Sequence, residues 1–200
     1  MISTSRIRGI LLGPRKEWPV IEGEQTTTSA LYVGWIVPLA AIGPIASFVG
    51  LSIFGISLPF AGHYRIPIAS GVAGAFAHYI GALVGVYVLA VIIDVLAPKF
   101  GGQSNRLQAL KVAAYSSTAA WIAAIFGLIP AIAILGIVGL YSLYLLYLGL
   151  PVLMKSPAER STGYTVVVVL VAFVIFIVVG ALSSVVLRVM GGGYPLGLPR

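Results

Sequence analysis

Five long apolar runs, separated by short polar breaks, set the pattern of this chain. They cover about Ala30 to Leu58, Ile66 to Leu96, Leu107 to Leu128, Pro130 to Met154 and Tyr164 to Val189. Crossing about 30 Å of hydrocarbon takes roughly 20 helical residues, and each run is long enough. A lone strand in lipid leaves its backbone groups unpaired, so the runs are predicted as helices. The fifth is rich in β-branched residues, which in water suggests a buried strand; its length decides for a membrane helix. Pro38 and Pro44 lie inside the first run. Proline removes a donor and kinks a helix, so a bent first span is expected. Pro130 suits the first turn of the fourth.

The connections are short: Pro59 to Arg65, Ala97 to Arg106, a very tight turn at Gly127 to Ile129, and Lys155 to Gly163. Residues 1–28 are mixed and polar. Ile7, Ile10, Leu11 and Trp18 there fit the apolar side of a short interfacial segment, with Arg6, Arg8, Arg15 and Lys16 meeting lipid headgroups and Trp18 at the interface. Residues 26–29, Thr-Thr-Thr-Ser, offer N-caps to the first span. The expected organisation is an interfacial segment at 1–28, a five-helix membrane domain at 29–190 and a flexible tail at 191–200. The fold class is all-α, a polytopic transmembrane bundle.

Composition agrees with this. Of 200 residues, 60% are hydrophobic and 8% charged, against about 25% charged in soluble domains. The net charge of +7 is placed between apolar runs and near the N-terminus, which points to an anionic leaflet rather than to nucleic acid. With the N-terminus inside, the inner side holds Arg6, Arg8, Arg15, Lys16, Lys99, Arg106, Lys111, Lys155 and Arg160. The outer side holds Arg65, Arg188 and Arg200. This asymmetry predicts a cytoplasmic N-terminus. The absence of cysteine excludes disulfides, thiolate metal sites and cysteine nucleophiles.

Candidate chemistry is sparse. Asp94 is the one acidic residue within a predicted span. Such a residue is a functional candidate by default. It lies near the inner end of the second helix, within reach of Lys99 or Lys111, so a structural Asp94–Lys111 pair is expected ahead of proton or ion handling. Tyr87 shares a face with Asp94, and Lys111, Tyr115 and Thr118 share one face of the third helix. A polar seam between these two helices follows as an expectation. His63 and His78 have no carboxylate or thiolate at ligand spacing, and no triad or phosphate loop is visible. No catalytic residue, metal or cofactor is therefore expected. Ala77, Gly81 and Gly85 form a small-residue ladder, expected to pack within the chain ahead of dimerisation. Gly136 and Gly139 form a looser version.

The most distinctive stretch is Tyr141-x2-Tyr144, then Leu148-Gly149-Leu150-Pro151-x2-Met154-Lys155. Tyr141 and Tyr144 share a helix face, and Tyr147 sits toward the inner boundary. With residues 113–118 and Pro130 upstream, and Pro14-x3-Trp18-x2-Ile21 near the N-terminus, it resembles the Yip family of Ypt/Rab-interacting membrane proteins, especially its bacterial members. The resemblance implies a five-helix bundle with a cytoplasmic N-terminus. In eukaryotic members it implies a link to Rab GTPases, Golgi and endoplasmic reticulum membranes and vesicle traffic. The expected location is the inner membrane of a bacterium, or a Golgi or endoplasmic reticulum membrane in a eukaryote.

Two functional readings follow. The first is a non-enzymatic scaffold, adaptor or lipid organiser whose partners are the anionic leaflet and a membrane protein or second copy of the chain. The second is a small transporter or channel using Asp94, His78 and the proline-broken helices.

Overall fold

The computed structural model describes residues 3–58 and 62–189, with backbone alone at 57, 58, 176 and 178–189. The predicted tail at 191–200 and the Arg188 side chain lie outside the described residues, as does Arg200. Five helical segments are long and apolar enough to cross a membrane: Thr28–Phe54, Ile68–Phe100, Arg106–Leu128, Pro130–Leu153 and Ala158–Ile175. The last belongs to a helix that runs on to Val189. The protein is an all-α polytopic membrane protein, and the five predicted spans are all present. One short antiparallel hairpin, β1 (Ile56–Leu58) with β2 (Gly62–Tyr64), joins the first two spans, where a plain loop was expected.

The first span is broken, as its prolines require. Pro38 cannot donate to the preceding turn, and the backbone widens to a π-helix over Tyr32–Ile36, closed by Val37 N–H on the Tyr32 carbonyl. A second break falls at Ala41, and a second π-segment covers Val49–Phe54. Tyr79 donates to the Val37 carbonyl at 3.0 Å, tying this irregular backbone to the second span. Thr27 caps the entry by accepting from Ala30 N–H at 3.1 Å.

The third span is the axis of the bundle. Ala109, Ala113, Ala114, Ala119 and Ala123 are buried along it, and their small side chains let neighbouring helices approach on all sides. The fourth span is in two parts, a 3-10 segment Pro130–Leu140 and an α-helix Tyr141–Leu153. Gly139 packs against Ala120, where an added Cβ would lie 3.2 Å from its Cα. The Ala77–Gly81–Gly85 ladder does not pack inside the chain: it is exposed, and a Cβ at Gly81 or Gly85 would meet nothing within 4 Å. The second span turns that face outward because its other sides are taken by the first, third and fifth spans.

The N-terminal residues are the largest departure from expectation. They form two helices, α1 (Thr4–Leu12) and α2 (Pro14–Gly23), folded back on each other at Gly13. Pro14 opens α2 at the position where a missing N–H costs nothing. Ile10, Trp18 and Ile21 are fully buried and belong to the same core as the third and fourth spans.

Candidate functional site: the docked N-terminal hairpin

The end of α2 explains the fate of Lys111. A helix leaves its last carbonyls without partners, and its C-terminus carries partial negative charge. Lys111, 1% exposed, directs Nζ to the carbonyl oxygens of Ile21 at 2.8 Å, Glu22 at 3.3 Å and Glu24 at 2.6 Å. An ammonium has three donors and no acceptor, so its hydrogen-bonding capacity is fully used. Gln108, one turn earlier, donates to the Glu22 carbonyl at 3.1 Å. The third span thus grips the end of α2 through backbone atoms.

The expected Asp94–Lys111 pair is not formed. Asp94 accepts from Ser104 Oγ at 2.7 Å and lies 3.7 Å from Arg106 Nε. Ser104 belongs to the connection between the second and third spans, and Arg106 opens the third span, both close to Asp94 in sequence. The predicted seam between the two helices is likewise redirected. Tyr87 is exposed. Tyr115 and Thr118 face the first span: Trp35 donates to Thr118 Oγ1 at 3.1 Å, and its ring lies 4.8 Å from that of Tyr115.

Arg6 also leaves its expected place among headgroups. It is largely buried and bridges Glu17 at 2.6 Å and Glu24 at 2.7 Å, with its guanidinium 6.0 Å above the Tyr115 ring. Gly9 leaves room here for the Glu17 carboxylate, which a Cβ at that position would displace. Arg8, Arg15 and Lys16 do remain exposed.

The fourth span holds the other side of the hairpin. Tyr141 donates to the Leu11 carbonyl at the end of α1, at 3.0 Å. Trp18 does not face lipid headgroups: it is fully buried against Gly149, where a Cβ would lie 2.7 Å from the indole. Lys155 pairs with the Glu22 carboxylate. So α2 runs alongside Tyr141–Leu153 in the same direction. Pro151 lies beside Trp18, lining the same groove, and Tyr144 and Tyr147 stay partly exposed. The residues of the distinctive tyrosine and Gly-Leu-Pro stretch are therefore the ones that receive the Pro14, Trp18 and Ile21 face of α2.

Sequence reasoning missed Glu17, Glu22, Glu24 and Trp35 as members of this site. A signal was present: three of the five acidic residues fall within Glu17 to Glu24, an unusual concentration beside a basic stretch. Nothing in the pattern marked Tyr164, whose hydroxyl donates to the Ile93 carbonyl while its ring stacks on Phe100 at 4.9 Å.

No curated protein and no solved structure matches the chain. The family model of the Yip1 domain matches residues 8–192. That range takes in α2, the Lys111 contacts and the tyrosine stretch, and the protein belongs to the Yip1 family.

Proposed function

We propose that this protein is a non-enzymatic membrane scaffold or adaptor whose N-terminal hairpin, on the cytoplasmic side, is the working surface. The observation that carries this reading is the Lys111 clasp on α2. A free basic arm would bind nonspecifically, whereas a hairpin fastened through Lys111, Trp18 and Tyr141 presents its outer face in one fixed orientation. That face includes Arg8 and Val20, the latter 57% exposed on the side of α2 away from Trp18. The partner is a membrane protein or a second copy of this chain. The basic excess on the hairpin side supports the orientation.

The test is in-cell photocrosslinking from Arg8 and Val20 followed by mass spectrometry. Reproducible capture of one protein, lost when Lys111→Met loosens the hairpin, is the expected result. Capture of lipid alone would remove the adaptor role.

A second reading, a small transporter, is favoured by one feature. A cavity of about 210 Å³ between the first and second spans is lined by Ser47, Ser52, Ser70 and His78. The Ser52 hydroxyl is buried there with no hydrogen-bond partner among the described residues. Asp94 is not part of it. Solute flux in liposomes that falls with Ser52→Ala would move the assignment to transport.

A further inference from the structure

The hairpin leaves two grooves on its outer flank, and Arg15 borders both. The first, about 410 Å³, runs between Leu12, Arg15 and Lys16 on one side and Tyr141 and Tyr144 on the other. The second, about 270 Å³, lies between Arg15 and Trp18 and the Tyr147, Pro151 and Val152 face of the fourth span. Together they follow the exposed part of the tyrosine stripe, which hairpin docking leaves unused.

Charge in these grooves is unbalanced. The three acids of the hairpin are engaged by Arg6 and Lys155. Among the described residues, Arg15 and Lys16 have no acidic partner. Beneath the second groove, Trp18 is fully buried with its Nε1–H lacking an acceptor among the described residues. The guanidinium and the ammonium call for an anion, and the indole donor for a hydrogen-bond acceptor.

Depth identifies its source. The 3-10 segment rises about 2.0 Å per residue and the α-segment about 1.5 Å, so the fourth span extends roughly 40 Å, beyond the roughly 30 Å of hydrocarbon. Pro130–Leu140 is wholly apolar while Lys155 lies just beyond Leu153, so the excess length falls at the hairpin end, which stands in the headgroup layer with Tyr144 and Tyr147 at the boundary, where aromatic rings are favoured. Below them the span is apolar and exposed at Leu140 and Leu143, and Leu12 at the hairpin corner is 84% exposed. A free inorganic anion has no use for those apolar walls, whereas acyl chains do.

We infer that α2 and the tyrosine stripe form a headgroup site for an anionic phospholipid of the cytoplasmic leaflet. The phosphate lies at Arg15 and Lys16 and the acyl chains lie along the fourth span. The cytoplasmic placement rests on the function proposed above; the groove itself does not.

The test is native mass spectrometry of the full chain, purified in detergent and offered phosphatidylglycerol, phosphatidylcholine or excess inorganic phosphate. One phosphatidylglycerol is retained and phosphatidylcholine is not. Arg15→Gln with Lys16→Gln lowers that retention about tenfold, with thermal unfolding unchanged because both side chains are exposed. Tyr147→Phe, with the headgroup charge contacts intact, lowers it less. Equal retention of the two lipids, or retention unaffected by the double variant, overturns the inference. Displacement of the lipid by inorganic phosphate assigns the site to a free anion and overturns it too. Loss of this lipid effect while Val20 still captures a protein leaves the adaptor reading standing, and the reverse outcome leaves the lipid site standing.

Discussion

The two ends of the bundle are held by different forces. At the hairpin end, α1, α2 and the third and fourth spans meet through a buried ammonium, an arginine bridging two carboxylates and a tyrosine on a helix end. At the far end, Pro130–Leu140 has no buried residue, and Ile134, Ile137 and Val138 are exposed. What closes that end is close backbone approach, as at Gly50, whose Cβ would overlap the Gly127 carbonyl. In lipid, apolar side chains gain little by leaving the solvent for a neighbouring helix, so association depends on packing and hydrogen bonds. Specificity therefore concentrates at the end where polar partners exist.

The comparison can be broken most strongly at Lys111. Lys111→Met leaves three carbonyls at the end of α2 without their cation, and a loss of about 3 kcal/mol is expected. Hydrogen exchange in α2 and thermal unfolding in detergent would read it. Gly149→Ala comes next. The added methyl meets the indole of Trp18 at 2.7 Å. Overpacking of about 1–3 kcal/mol exceeds the helix-propensity gain of up to about 1 kcal/mol, so the hairpin should loosen while the spans persist. Tyr141→Phe removes one hydrogen bond to Leu11, a loss of about 1 kcal/mol, visible as faster exchange at the end of α1. The smallest effect is expected at the far end, where Ile134→Ala, on a side chain 76% exposed, should shift stability by less than about 0.5 kcal/mol. If Ile134→Ala matched Lys111→Met in the same detergent, the contrast between the two ends would fail.

Much of the architecture was legible in the chain. All five spans, the break at Pro38, the Thr27 cap and the tight turn before Pro130 follow from length, hydropathy and backbone chemistry, which act locally. The partners of Lys111 were not legible. A lysine and an aspartate near the ends of neighbouring helices suggest an ion pair, but backbone carbonyls carry no side-chain signature, and only the path of the chain brings Ile21, Glu22 and Glu24 to Nζ. Trp18 and Arg6 were misplaced for a related reason: an interfacial residue and one packed beneath a neighbouring helix have the same composition.

By itself, then, the sequence determined that this chain lives in a membrane and carries five runs long and apolar enough to cross it, because the cost of polar groups in hydrocarbon is paid residue by residue. The tertiary structure alone decided that Ile10, Trp18 and Ile21 belong to the core, that Arg6 and Lys111 are structural, and that Arg15 and Lys16 stay exposed. Those roles depend on which acceptors long-range folding delivers to each cation, and local pattern carries no record of that.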